Sequence, residues 1–204
     1  MTLTLALLVA WWSTGGCTRE EAAVDDLSRR LTELGYAELF LELGDETLDS
    51  LWHTPGVPAR LAALSGDLSA PAEARFLAAE TLFRRDSSAL TEARKAALAP
   101  AYAEALRHAA LANPWGLPGT LDGPAGQHVV SLGEPAVAAL TPLLTDGRPV
   151  LYAGSAEATF GNSYRYRVKD LAAFLISRIR GLSYPVHLSP VDRDTEIARL
   201  GASL

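Results

Sequence analysis

The sequence predicts an all-α fold made of helices packed in antiparallel pairs. Three observations predict it. Apolar residues recur at helical spacing, most clearly at Val137, Leu140, Leu143 and Leu144, then at Val168, Leu171, Ala172, Leu175, Ile176 and Ile179. Ala and Leu dominate while aromatics are 7% of the chain, which suits helices. Helix start and stop residues punctuate the apolar stretches throughout. At 204 residues the chain is one domain that needs no staples to bury a core. A net charge of −6 with only two lysines, Lys95 and Lys169, argues against nucleic acid, where a basic stripe is expected.

Thr18 caps a first helix running to Leu34, with Glu20 and Glu21 in its first turn and Gly35 as its stop. Its stripe is Val24, Leu27, Leu31 and Leu34. Tyr36–Leu43 forms a short helix closed by Gly44, and Leu48, Leu51 and Trp52 belong to the next one. Asp45, Glu46 and Asp49 lack the alternating oxygens, glycine and closing Glu of a calcium loop and read as a solvated helix start. Thr54-Pro55-Gly56-Val57-Pro58 is a turn before a helix over 58–64. Ser69 caps the next helix, with Pro71 in its first turn and Phe76, Leu77, Ala79, Leu82 and Phe83 on its face. Asp86-Ser87-Ser88 breaks it. A long helix follows over Thr91–Leu111, with Pro100 as a kink. Asn113–Gly119 is a rigid loop in which Trp115 plugs the core, and a short helix over 121–130 leads to the central pair.

That pair spans Leu132–Arg180. Pro135 stands in a first turn, where its missing N–H costs nothing, whereas Pro142 lies inside the pattern and predicts a kink. Neither helix buries its stripe alone, so the two pack on each other. Gly181–Pro190 is an extended crossing, and Ser189 and Pro190 open a last helix with Val191, Ile197 and Leu200 inward.

Leu132-Gly133-Glu134-Pro135-Ala136-Val137-Ala138-Ala139-Leu140-Thr141-Pro142-Leu143-Leu144 resembles the first helix of a HEAT-type repeat, and Val168-Lys169-Asp170-Leu171-Ala172-Ala173 resembles the second. The resemblance covers one repeat, 132–180, of the ~40–47 residues usual for the class. A weaker echo lies at Ala74–Leu82. The departure is the connection, Thr145–Tyr164, far longer than a HEAT turn. The resemblance implies a short superhelical stack of antiparallel helix pairs with one long loop or small hairpin inserted, and it implies a binding scaffold rather than a chemistry.

Leu3–Trp12 is an apolar run of about ten residues, too short to span a bilayer and of signal-peptide length. Ser13, Thr14, Gly15, Gly16 and then Cys17, the lone cysteine, follow. This resembles a bacterial lipoprotein signal, with residues 1–16 removed, lipid attached at Cys17, and 17–204 as the mature domain. Thr14 stands where the family usually has Leu, and no Lys or Arg precedes the run. Thr18 after the cysteine implies an outer-membrane anchor facing the periplasm.

No catalytic or cofactor signature is present. His53, His108, His128 and His187 stand in no His-Glu-x-x-His pattern; Glu104 and His108 share a helix face without a third metal ligand. The expectation is therefore no cofactor, no metal and no nucleic acid. The candidate partner-binding surface is the long loop. There Val150-Leu151-Tyr152 and Tyr164-Arg165-Tyr166 are expected to pair as a hairpin, and Tyr152, Phe160, Tyr164, Arg165, Tyr166 and Arg167 supply the side-chain types that anchor interfaces. An alternative role for the same side chains is to pin the loop, with the arginines paired to Asp170. The functional expectation is a non-catalytic envelope scaffold for a protein or envelope component. Its rivals are a small hydrolase with a groove under 145–164 and a cytosolic HEAT-like adaptor.

Overall fold

A computed structural model describes residues 19–41, 44–154 and 156–204. The Leu3–Trp12 run, Cys17, the Thr18 cap and Leu43 lie outside the described residues. Among those described there are ten α-helices and no strand, so the chain is all-α. No described helix is long and apolar enough to cross a membrane.

Two helices form the centre because they are buried on nearly every side. In α4 (Ala72–Arg85) every residue from Ala74 to Leu82 is buried, and in α9 (Val168–Ile179) so is every residue from Asp170 to Ser177. Small side chains make this possible. Ala74, Ala78 and Ala79 in α4, and Ala172 and Ala173 in α9, let neighbours approach from more than one direction. Around α4 pack α1 (Arg19–Phe40), α3 (Val57–Gly66) and α5 (Glu92–Arg107). Around α9 pack α6 (Pro124–Ser131), α7 (Glu134–Leu140), the 3-10 turn Thr141–Thr145 and α10 (Pro190–Gly201). α2 (Gly44–Trp52) leans on α1, and α5 against α7 joins the two halves into one core from Leu27 to Leu200.

The punctuation residues act as their chemistry dictates. Gly35, at φ 67°, breaks α1 without ending it, because the chain resumes helix to Phe40. Pro142 converts α7 into the 3-10 turn. Pro100 lies within α5, and the guanidinium of buried Arg75 donates to the nearby Ala97 carbonyl. The helix expected to reach Leu111 stops at Arg107, since Leu111 and Ala112 leave it to pair with Leu151, where the Ala112 N–H donates to the Leu151 carbonyl at 2.7 Å. Ser69 does not cap α4; its hydroxyl and N–H both donate to Asp67.

The expected hairpin tip is instead a helix, α8 (Ala156–Tyr164). Backbone pairing occurs further from the tip. The Val150 N–H donates to the Tyr166 carbonyl at 2.9 Å, and the Val168 N–H to the Arg148 carbonyl at 3.0 Å. Packing decides the helix. Gly161 lies so close to Tyr152 that any Cβ would fall within the ring, and Asn162 holds the Tyr152 backbone through two hydrogen bonds. Arg165 leaves α8 in the left-handed region at φ 51°.

Candidate functional site

A cleft of about 520 Å³ opens where the end of α1, the first turns of α4, the end of α5 and the 109–115 turn meet. Three near-parallel rings line it. Tyr36 stacks on Phe76 at 5.8 Å and 17°, and Phe76 on Trp115 at 5.8 Å and 14°. Tyr102 abuts both Phe76 and Trp115 edge-on from the core. The break at Gly35 sets the helical turn carrying Tyr36, and the early stop of α5 leaves room for Trp115 to reach Phe76. Leu41, Leu77, Ala105, Ala109, Leu111 and Pro114 complete the apolar wall. Glu73, Glu104 and His108 are its ionisable members besides Tyr36. Glu104 accepts from the exposed His108 at 2.9 Å, and its Oε2 lies 3.5 Å from the buried Nε of Arg107.

Behind the rings lies a buried polar cluster. Glu80, 1% exposed, accepts from the Tyr102 hydroxyl at 2.5 Å and meets His128 Nδ1 at 2.7 Å. The His128 ring lies flat on Phe83, centroids 4.0 Å apart. Burial, then the Glu80 carboxylate, hold the Tyr102 hydroxyl well above the usual tyrosine range, so it stays a donor. Tyr36 is pushed up by the same two causes in the same order, so its buried hydroxyl also stays protonated. A carboxylate-oriented imidazole is half of a general-base arrangement. The other half is missing: neither Glu80 nor His128 lines the cleft, and no Ser, Thr or Cys among the described residues bonds the His128 ring. The cluster braces α4, α5 and α6 against one another. Nor do the described residues contain a metal-ligating group of three.

The residues nominated from the long connection divide. Tyr152 and Tyr166 are buried, and the Tyr152 hydroxyl donates to the Gly116 carbonyl at 3.0 Å. Tyr164 is half-buried and stacks on Tyr166 at 5.2 Å; Arg193 lies over the other ring partner, 5.1 Å from the Tyr166 centroid. Arg167 grips Asp170 through Nε and Nη2, both at 2.9 Å, and pairs with Asp194 at 2.8 Å. Only Phe160, 64% exposed, and Arg165 present themselves to solvent. The six do not converge on one concave surface, while the cleft is assembled from residues 36–41, 73–77 and 104–115. A sequence signal for part of this existed: Glu80 lies four residues after Phe76, an acid on a buried helix face.

Among the described residues the fold and the cleft define a class: an all-α domain with an aromatic-lined, acid-rimmed cleft and a braced buried carboxylate. Comparison with protein-family models, curated proteins and solved structures finds no match to this chain.

Proposed function

We propose that this chain is a non-catalytic binding domain of the bacterial envelope, tethered by lipid on Cys17 with its domain in the periplasm, and that the cleft receives its partner, a protein or envelope component. The cleft is the observation that carries the reading. Its volume lies in the range of ligand sites, its lining is apolar and aromatic, and its few polar groups sit at the rim. The HEAT-like part of the reading draws support from the packing order, in which α3 meets α4, α4 meets α5, α5 meets α7 and α7 meets α9. The anchor rests on the sequence: a short apolar run, two glycines and the lone cysteine.

Intact mass of the protein taken from a bacterial membrane tests the anchor. The expected species lacks residues 1–16 and carries a diacylglycerol-type addition at Cys17. An unprocessed chain with a free thiol overturns it and leaves the cytosolic adaptor.

One observation favours a second reading, a small hydrolase: the Glu80–His128 pair. If that pair is catalytic, a hydrolase screen returns an activity that His128→Gln abolishes while the fold persists. Complete silence of the wild-type chain in that screen counts for the binding domain.

A further inference from the structure

We infer that the cleft takes a small amphiphilic cation, with an apolar chain or ring lying along the Tyr36–Phe76–Trp115 row and an ammonium group held at the Glu73 and Glu104 rim. This rests on the reading of the cleft as a binding site and names the chemistry of its occupant.

Size sets the first half. About 520 Å³ suits a small molecule, whose sites run about 300–1,000 Å³, and the aromatic row with its aliphatic neighbours offers an apolar wall. The Tyr36 hydroxyl is itself buried and interacts with Glu80.

Charge sets the second half. The carboxylates among the lining residues are Glu73 and Glu104, and the carbonyl end of α5 adds partial negative charge where His108 and Ala109 line the wall. Glu73 is exposed in the first turn of α4 and makes no ion pair among the described residues. Glu104 is held by His108, whose side chain is 65% exposed, and faces the buried Nε of Arg107 at 3.5 Å, so a bound ammonium displaces the solvated His108 and leaves Arg107 in place. An anion entering the same place meets two carboxylates and the carbonyl end of α5, against one guanidinium, Arg107, and the N–H end of α4.

The test uses the full chain and three probes of one length: octylammonium, 1-octanol and octanoate, each titrated below self-association and followed by calorimetry. Octylammonium is expected to bind about fivefold or more tighter than octanoate, with octanol between, as two half-exposed ion pairs imply. Glu73→Gln with Glu104→Gln should bring octylammonium down to octanol and leave the melting temperature alone. Ala105→Phe, which fills the cleft, should weaken all three; Ala37→Trp, at the exposed lip, serves the same purpose if the first variant does not fold. Equal affinity for the three probes, with both cleft-filling variants still weakening them, overturns the cation and keeps the binding site. Binding of none of the probes, or binding that neither cleft-filling variant disturbs, overturns the cleft reading itself.

Discussion

Asp170 and Asp194 share one guanidinium and differ in burial, which makes them a matched pair for the worth of an ion pair here. Asp170 is 1% exposed; it accepts from the Arg167 N–H, Nε and Nη2, and Arg193, itself 1% exposed, lies 3.2 Å away. Arg193 in turn donates to the carbonyls of His187, Leu188 and Tyr164, each at 2.9 Å, so it ties α10 to the connection before α9. Asp170→Asn leaves a buried cation uncompensated. Breaking such a pair costs about 3–5 kcal/mol, so a melt should fall by about 10 °C in a chain of this size. Asp194 is 45% exposed, and Asp194→Asn should cost no more than about 2 °C. Equal losses from the two variants would show that burial does not govern the network. The sign of the pH effect is also fixed. Hydrogen bonds from Arg167, then Lys169, hold the Asp194 carboxyl below its ordinary 3.8. Its contribution is therefore complete above that value and is lost as pH falls through the lower, folded-state value. Melts below pH 4 should show Asp194→Asn converging on wild type.

At the scale of elements, close backbone approach explains what helical stripes do not. Gly126, in the first turns of α6, sits against the Trp115 carbonyl so tightly that a Cβ would overlap it. Gly126→Ala must push α6 away from the turn that carries Trp115, which should cost about 1–3 kcal/mol. A red-shifted tryptophan emission would report it; an unchanged melt and spectrum would show that the turn simply yields. Leu171→Asp should unfold the domain, because Leu171 is fully buried in α9 and its new charge has no partner. A melt equal to wild type would sink the packing of α7 on α9. These long helices were legible because their apolar residues recur at the helical period and their ends carry Gly, Pro or a cap. α8 was not: Ala156–Tyr164 has Thr, Gly, Asn and Ser in nine residues and no stripe, and its helicity depends on Gly161 meeting a tyrosine distant in sequence. The aromatic character of the 145–167 connection was visible, and so was the pinning role that Tyr152, Tyr166 and the Arg167–Asp170 pair take, but the sequence did not decide between pinning and binding residue by residue. The cleft was invisible for the same reason, since Tyr36, Phe76 and Trp115 come together only when α1, α4 and the 113–115 turn are packed.

For the whole molecule, the reading of the N-terminus makes a demand on stability. The described core already runs from Leu27 to Leu200 as one cluster and places α4 and α9 under cover on nearly all sides. If residues 1–16 are a leader, a chain starting at Thr18 must hold the fold unaided. If Leu3–Trp12 instead belongs to the core, its loss is ruinous. Burying ten mostly apolar side chains at about 1.5–3 kcal/mol each exceeds the 5–15 kcal/mol that separates a folded domain from its unfolded chain. The two readings therefore predict outcomes with nothing between them. The chain from Thr18 should be monodisperse without detergent and melt within about 2 °C of the full-length protein, because surface changes away from the core fall within about ±0.5 kcal/mol. Failure to fold from Thr18 would return Leu3–Trp12 to the core, remove the anchor and leave the cytosolic adaptor as the reading. The octyl probes then decide the cleft separately, since Tyr36, Phe76 and Trp115 all lie beyond the cut.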